Sequence, residues 1–232
     1  MSENRIVMIS GSNRGLGAAI AEKLFSEGWR LSLGMRSLQR PGWAGDGEDV
    51  QVHHYDATAG EEDAWVSATL EEFGRIDAIV ANAGIMIPGS VIEAEDADLD
   101  AMYEVNVKAP RRLAKAAWQS LKVSGSGRVI IVASLSGKRV TSPQSSLYSM
   151  TKYAAVALAH GLRREGWEHG IRATALCPGL VSTDMGKGLF PDRANDMTTA
   201  EDVARLAALA LDLSNNASVA ELHVNCANGE IF

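Results

Sequence analysis

The chain has 232 residues, of which 46% are hydrophobic, with 29 acidic and 22 basic side chains and a formal net charge of −7. This length and apolar content are enough for one enzyme-sized domain, and the acidic charge argues against a nucleic-acid-binding surface. The sequence has no signal-peptide pattern, no apolar run long enough to cross a bilayer, and only two cysteines, Cys177 and Cys226. We therefore expect a cytoplasmic protein with free thiols and no membrane partner.

Strand-like and helix-like segments alternate from one end of the chain to the other. The predicted strands cover residues 6–10, 30–35, 50–55, 76–81, 128–133, 171–176 and 221–226. The predicted helices run from Ala18 to Gly28, over residues 61–73, 98–123 and 199–213, and around Tyr148. Alternation of this kind predicts an α/β fold, with a doubly wound, mainly parallel seven-stranded sheet and helices on both faces. No repeat or linker marks a second domain, so residues 1–232 are predicted to form a single domain.

A glycine-rich turn lies between the first strand and the first helix. It reads Gly11-Ser12-Asn13-Arg14-Gly15-Leu16-Gly17, with the glycines spaced G-x-x-x-G-x-G. Glycines let a backbone approach a pyrophosphate closely, and the N-terminus of the following helix offers free N–H groups and a positive dipole end. The seven residues of this turn are therefore predicted to bind a dinucleotide cofactor.

The charges around the second strand indicate which dinucleotide binds. No Asp or Glu lies between Glu27 and Asp46, where an acidic side chain would accept hydrogen bonds from the NAD ribose. Arg36 follows the strand instead, and Arg14 lies in the glycine turn. Two guanidiniums at these places could bind the 2′-phosphate of NADP through charge-assisted hydrogen bonds. We predict NADP, with NAD less favoured, and the alternative is two exposed arginines that bind nothing.

Tyr148 and Lys152 stand four residues apart in the helix that begins after the fifth strand. At this spacing both side chains project from one face of a helix. An ammonium about 4 Å from a phenolate stabilises it by roughly 4 kcal/mol at an effective dielectric of about 20. The lysine is therefore expected to lower the tyrosine pKa towards neutrality, where general acid–base catalysis is efficient.

Several motifs, all in the expected order, make the chain resemble the short-chain dehydrogenase/reductase family over essentially its whole length. They are Gly11-x-x-x-Gly15-x-Gly17, Asp56, Asn82-Ala83-Gly84, Asn106, Ser134, Tyr148-x-x-x-Lys152 and Pro178-Gly179. The resemblance implies a Rossmann-type dinucleotide-binding and catalytic domain that interconverts a carbonyl and an alcohol by hydride transfer, with NAD or NADP as cofactor. A catalytically silent NADP-binding sensor or partner-binding protein on the same fold is the alternative.

The resemblance also implies roles for single residues. Tyr148 would be the acid and base, and Lys152 would lower its pKa and bind the nicotinamide ribose. Ser134 would hold the substrate oxygen, with Ser136 as the alternative, and Asn106 would help to hold a water. Further cofactor contacts are implied for Asp56, Ala57, Asn82, Ala83, Gly84, Pro178, Gly179, Val181 and Thr183.

The sequence does not name the carbonyl or alcohol substrate. Residues 184–198 contain Gly186, Gly188 and Pro191 and are predicted to form a small, mobile substrate lid. Lys138 and Arg139 could bind an anion or could belong to a solvated loop. No histidine has metal-ligand spacing with another His or Cys, so no metal is predicted.

One face of the Tyr148 helix predicts self-association. This face carries Met150, Tyr153, Ala157 and Gly161, which are too apolar and too small for a solvated surface. A second copy of the chain would cover it, as in the dimers and tetramers of the family that the chain resembles. We therefore expect a homodimer or homotetramer, and the alternative is a face covered within one chain.

Overall fold

A seven-stranded parallel sheet forms the centre of the protein in the computed structural model, which describes residues 4–228. The strands are β1 (Ile6–Ser10), β2 (Arg30–Met35), β3 (Val50–His54), β4 (Ala78–Ala81), β5 (Arg128–Val132), β6 (Arg172–Pro178) and β7 (Glu221–Val224). They lie in the order β3-β2-β1-β4-β5-β6-β7, and every neighbouring pair is parallel. The predicted doubly wound α/β fold is confirmed.

Within the described residues, seven α-helices connect the strands and cover both faces of the sheet. They are α1 (Gly15–Ser26), α2 (Glu62–Phe73), α3 (Asp96–Tyr103), α4 (Ala109–Val123), α5 (Pro143–Gly166), α6 (Asp184–Leu189) and α7 (Ala200–Asp212). One core cluster contains residues of α2, α4 and α5, and the other contains residues of α1 and α7. No helix within residues 4–228 is both long enough and apolar enough to cross a membrane.

The first strand shows why the apolar runs in this sequence form buried parallel strands. Met8 packs in the core cluster on one face of the sheet, whereas Val7 and Ile9 pack in the cluster on the other face. All three side chains are fully buried. A strand covered by helices on both faces needs apolar residues at every position, so it loses the alternating pattern of a half-exposed strand.

The central helix predicted over residues 98–123 is divided in three. Between α3 and α4 the chain makes a π-helical segment, Glu104–Lys108, in which the Ala109 N–H donates to the Glu104 carbonyl five residues back. Pro110 has no N–H, so the Asn106 carbonyl cannot receive the α-helical hydrogen bond from residue 110. The wider turn accommodates this missing donor, and the continuous-helix prediction was wrong at this point.

The sixth strand extends further than predicted. It runs from Arg172 through Pro178, which pairs with Val224 of β7, whereas the sequence placed its end before the proline. The proline is the last residue of the strand, and the next donor, the Gly179 N–H, bonds to the Val224 carbonyl at 2.8 Å. A proline at a strand end removes only one ladder hydrogen bond, so it did not stop the strand.

Candidate active site

A cleft of about 1220 Å³ opens at the carboxyl ends of the strands. Strand β1 pairs with β2 on one side and β4 on the other, so the chain connections turn in opposite directions there and leave a crevice. The cleft is lined by Gly11, Asn13, Arg14, Gly15, Leu16, Arg36, Asp56, Ala57, Asn82, Ala83, Gly84, Ser134, Tyr148, Lys152, Pro178, Gly179, Val181 and Thr183. The structure thus brings most of the predicted site residues into one cleft.

Three predicted site residues lie behind the cleft wall instead. Ser12 is buried, and its hydroxyl donates to the Gly34 carbonyl at 3.4 Å. A Cβ atom on Gly17 would overlap the Gly11 carbonyl oxygen and the Asn82 side-chain amide. Asn106, the third, is 2% exposed. Ser12 and Gly17 thus shape the turn from behind, and their direct contact with a cofactor stays a prediction.

The turn after β1 has the form that a pyrophosphate requires. Gly11 and Gly15 have φ values of +64° and +55°, in the left-handed region that glycine adopts without strain. Helix α1 begins at Gly15, has no acidic residue in its first turn, and receives no side-chain hydrogen bond from Arg14 at its N-cap. Its first N–H groups are therefore available to an anion. The backbone and donor set fit a dinucleotide.

Hydrogen bonds fix the two walls of this crevice against each other. The Asn82 side-chain amide donates to the carbonyls of Ser10 and Gly11, each at 3.0 Å. In return, the Ser10 hydroxyl accepts from the backbone N–H groups of Asn82 and Ala83, each at 3.0 Å. The predicted Asn82 therefore holds the ends of β1 and β4 at a constant separation.

Helix α5 carries Tyr148 and Lys152 and begins with strong capping signals. Ser142 and Ser145 form a reciprocal capping box, and Pro143 occupies the first helical position. Five residues later Tyr148 lies beside Ser134, which follows β5 and whose hydroxyl acts to lower the pKa of Tyr148. The Ser134 oxygen also accepts a hydrogen bond from the Ser136 N–H at 3.0 Å. Because Ser134 is the serine beside Tyr148, this arrangement favours Ser134 over Ser136 as the residue that would hold the substrate oxygen.

The Lys152 ammonium lies next to the Tyr148 ring but is bonded elsewhere. Its Nζ is 5.6 Å from the ring centroid and donates to the Val132 carbonyl at 2.9 Å. Burial lowers the pKa of Lys152 to about 8, against a smaller opposing effect of Cys177. Burial also raises the pKa of Tyr148 above its usual value, although the Ser134 hydrogen bond acts in the opposite direction. The expected lowering of the phenol pKa was wrong for this structure, because desolvation dominates.

The π-helical segment presents Asn106 to the interior of the site. Its Oδ1 accepts from the Ile85 N–H at 2.9 Å, and its Nδ2 donates to the Ile85 carbonyl at 2.9 Å and to Thr151 Oγ1 at 3.1 Å. Thr151 directly precedes Lys152, so one buried side chain ties the loop after β4 to the helix of the Tyr–Lys pair. An asparagine in an isolated helix would be solvated, and only this tertiary position explains its burial.

The two arginines predicted to read the 2′-phosphate both line the cleft. Arg36 follows β2 and, with the stronger hydrogen bonds from Thr58, helps to hold the pKa of Asp56 below its usual range. Arg14 approaches Asp184 at 3.5 Å, with both side chains largely exposed. An exposed pair of this kind contributes little, so Arg14 can exchange its partner at small cost.

A charged cluster that the sequence did not reveal lies between α5 and the last two strands. Glu221 accepts hydrogen bonds from His160 and His223, each at 2.7 Å, and from Lys138 at 3.2 Å. Burial would raise the pKa of Glu221, but these donors outweigh it and hold the pKa at about 2. Lys138 is therefore paired with Glu221 and does not line the cleft, unlike its neighbour Arg139.

Cys177 completes this cluster, and its ligand atom lies within 4.8 Å of those of Glu221 and His223. Burial raises the pKa of the Cys177 thiol to about 12, so the neutral thiol is favoured. A cation here would compete with the Lys138 ammonium for the same carboxylate. Glu221 and His223 are neighbours on one face of β7, but Cys177 comes from β6, so only the pairing of the two strands brings the three residues together.

Comparisons with known proteins agree with this geometry. Residues 5–194 match the sequence profile of the family described as short chain dehydrogenase. The chain is 36% identical over 228 residues to an agropine synthesis reductase of Rhizobium rhizogenes, covering 97% of this chain and 53% of that protein. It thus spans about half the length of that relative. An uncharacterized oxidoreductase of Staphylococcus saprophyticus is 31% identical, with 96% of this chain and 97% of that protein covered.

A solved structure shows the same arrangement in three dimensions. The alcohol dehydrogenase of the archaeon Thermococcus sibiricus, complexed with 5-hydroxy-NADP, superposes with a TM-score of 0.86 at 31% sequence identity. The alignment covers 96% of each chain. The likeness therefore extends over the sheet, the cleft and the segments around it.

The buried ammonium predicts an unusual stability profile. Lys152→Met should raise the free energy of unfolding at neutral pH, because the folded-state pKa of about 8 lies below the ordinary 10.5. The unfolded chain therefore holds the lysine proton more tightly than the folded chain does. The free-energy cost of burying the charged lysine is complete below the folded-state pKa of about 8 and disappears as the pH rises through the unfolded-state pKa of 10.5. We expect a gain of about 1–3 kcal/mol, reduced by the loss of the Val132 hydrogen bond.

Urea unfolding at about pH 7 and about pH 10 measures this difference. Lys187→Met, at an exposed position of α6, is the matched control and should change little. A wild type that is more stable than Lys152→Met at neutral pH would show that the buried charge is not a cost.

Proposed function

The chain belongs to the short-chain dehydrogenase/reductase family, and we propose that it is an NADP-dependent oxidoreductase interconverting a carbonyl and an alcohol, with Tyr148 as the acid and base. The observation that carries this proposal is the grouping of Ser134, Tyr148 and Lys152 in the same cleft as the glycine turn, with Lys152 Nζ 5.6 Å from the Tyr148 ring. The Thermococcus sibiricus relative supports the reaction class, since it is an alcohol dehydrogenase complexed with an NADP derivative.

In the direction of reduction, Tyr148 gives its proton to the substrate oxygen while the carbonyl carbon gains a hydride. A bound nicotinamide cofactor supplies that hydride. The raised pKa of Tyr148 keeps the phenol protonated at neutral pH, which is the state that a proton donor needs. Ser134 can share its hydrogen bond with the same substrate oxygen and so hold it beside the phenol, which removes much of the entropic cost of the reaction.

Lys152 makes the tyrosine easier to deprotonate once its charge is turned towards the hydroxyl. In the reverse direction Tyr148 takes the proton from the alcohol, and an ammonium nearby favours the transient phenolate. Asn106 keeps the preceding residue, Thr151, in place through its 3.1 Å hydrogen bond. We assign Asn106 the part of a positioning residue that fixes the backbone on both sides of this pair.

The rival proposal is a protein of this fold that binds NADP without catalysis and acts as a sensor or binds a partner. Loss of Ser134, Tyr148 or Lys152 would favour it. All three are present and close together in the cleft, so we favour the enzyme.

We further propose one catalytic domain whose residues 184–198 act as a small substrate lid. Met185, Leu189 and Phe190 from this segment line the cleft, and Met185 and Phe190 are nearly half exposed. Burying them over a substrate would exclude water from the site. The two free cysteines agree with the reducing conditions of the cytoplasm, which is our proposed location.

Tyr148→Phe removes the proton and keeps the ring. We expect turnover to fall by roughly 10²–10⁴-fold, the usual contribution of positioned acid–base catalysis, while NADPH affinity stays the same. Tyr153→Phe on the exposed face of the same helix is the matched control. Steady-state kinetics on a good carbonyl substrate and NADPH fluorescence titration give the two readouts. Near-wild-type turnover in Tyr148→Phe would exclude Tyr148 from the mechanism.

Cofactor preference rests on Arg14 and Arg36. Each charge-assisted contact contributes about 1.5–3 kcal/mol, so NADPH should bind roughly ten-fold to several hundred-fold more tightly than NADH. Arg36→Asp should reverse the order, since the carboxylate repels a 2′-phosphate and accepts from a ribose hydroxyl. Lys115→Glu is the matched control, because it makes the same change of charge on the exposed part of α4, outside the cleft, and it should leave the order of the two cofactors as it is. Equal dissociation constants for NADPH and NADH in the wild type would disprove the role of these arginines. So would an Arg36→Asp variant in which the ratio of these two constants is the same as in the wild type.

Self-association through α5 is our proposal for the assembly. Met150 and Tyr153 are 48% and 45% exposed, and Ala157 and Gly161 beside them are exposed too. Light scattering at micromolar concentration should show a dimer or tetramer. Ala157→Arg should shift it to smaller species because burying an unpaired charge is costly, whereas Ala64→Arg on the exposed part of α2 should not. A wild-type monomer at all accessible concentrations would contradict the proposal.

A further inference from the structure

The charges in the cleft do not balance, and the imbalance is informative. The charged residues of its lining are Arg14, Arg36, Asp56, Arg139, Lys152, Asp184 and Arg193. Five of these are cationic and two anionic, although the whole chain has a net charge of −7. A cleft that is more positive than the rest of its protein favours anionic ligands.

Most of these charges already have a partner or a role. Arg14 lies 3.5 Å from Asp184, and Arg36 acts on Asp56. Lys152 is buried beside Tyr148 and bonds to Val132. The two cations that remain are Arg139 and Arg193.

Neither remaining guanidinium has a hydrogen-bond or ion-pair partner among residues 4–228. Arg139 is partly buried, and only its backbone N–H is bonded, to Leu135 at 3.1 Å. Arg193 lies in the short 3₁₀ helix Pro191–Asp196 and donates only its backbone N–H, to Phe190 at 3.1 Å. Arg139, which is partly buried without an acceptor, forgoes hydrogen bonds that a carboxylate would supply in bidentate form, whereas Arg193 is exposed to solvent.

The positions of the two arginines place them on the substrate side of the site. Arg139 lies in the short segment between Ser134 and helix α5, and thus between the two residues that would hold the substrate oxygen. Arg193 follows the apolar lid residues Leu189 and Phe190, which line the same cleft. Lys138, the cation next to Arg139, is held outside the cleft by Glu221 at 3.0 Å.

From this arrangement we propose that the carbonyl substrate carries a carboxylate, which Arg139 binds from the floor of the cleft and Arg193 from the lid. The assignment rests on the proposed function, since it names the class of substrate for that reaction. Closing the lid segment over such a substrate brings the second guanidinium to the anion. The apolar lid residues then cover the part of the substrate between the carboxylate and the carbonyl.

The first test compares keto acids with their neutral amides. The probes are pyruvate, acetoacetate and levulinate, in which the carboxylate stands progressively further from the carbonyl, and the corresponding three amides. With NADPH, wild type should show a kcat/KM for the best acid about ten-fold to hundred-fold above that for its amide. The preference should shrink as salt screens the charges.

Variants then identify the groups responsible. Arg139→Ala and Arg193→Ala should each remove most of the acid preference through KM, leave kcat on the amide unchanged, and leave NADPH affinity unchanged. Arg139→Lys should restore part of it. Lys115→Ala is the matched control, because Lys115 is an exposed cation of α4 that does not line the cleft. A rise in the NADPH dissociation constant that accounts for the whole effect would assign the arginines to the cofactor and overturn the proposal.

A binding measurement separates this inference from the proposed reaction. Valerate and valeramide have no ketone to reduce, and their binding to the enzyme–NADPH complex can be followed by calorimetry. Tighter binding of valerate in wild type, lost in Arg139→Ala, supports the anion site even if no carbonyl is reduced. Equal reduction of acids and amides would overturn the anion site and leave the proposed reaction standing. Failure of both reduction and valerate binding would reject both.

Discussion

The hydrogen bonds between the ends of β1 and β4 are the constraint on which the cleft depends. Four of them join Ser10 and Gly11 to Asn82 and Ala83, each at 3.0 Å and across a separation of about seventy residues in the chain. At this point the two halves of the sheet turn in opposite directions, and the crevice between them would close or widen without a fixed link. Gly17 adds to the same constraint, since it leaves no room for a side chain between the Gly11 carbonyl and the Asn82 amide. The width of the crevice is therefore set partly by groups that do not line it, Ser10 and Gly17.

The site contains polar side chains that are almost fully buried, and burying a polar group costs stability. Lys152 is 4% exposed and Asn106 is 2% exposed, and each is tolerated because the backbone offers it partners, Val132 for the first and Ile85 for the second. The π-helical segment is part of this arrangement, because it carries Asn106 at the point where Pro110 interrupts the α-helical ladder. Such features are expected where a fold gives up stability for reactivity.

Charge is distributed in two separate groups around the active site. On one side of the segment between Ser134 and α5, Glu221 pairs with His160, His223 and Lys138 in one cluster, which holds Lys138 away from the cleft. On the other side, Arg139 faces the cleft without a carboxylate of its own. The adjacent side chains of Lys138 and Arg139 thus lie on opposite sides of this segment. The difference comes from Glu221 of β7, which lies next to Lys138 only in the folded sheet. The cluster stabilises the segment, and the free arginine is left for the substrate.

The sequence by itself determined the order of strands and helices, the glycine turn and the close pairing of Tyr148 with Lys152. These are local patterns, set by apolar periodicity, by glycine spacing and by the four-residue repeat of a helix. Only the tertiary structure decided that Ser12 and Gly17 stand behind the cleft, that Asn106 is buried, and that desolvation raises the pKa of Tyr148. It also decided that Lys138 forms an ion pair with Glu221, more than eighty residues away in the chain. Burial and long-range partners depend on which distant segments pack together, and no local pattern in the chain contains that information.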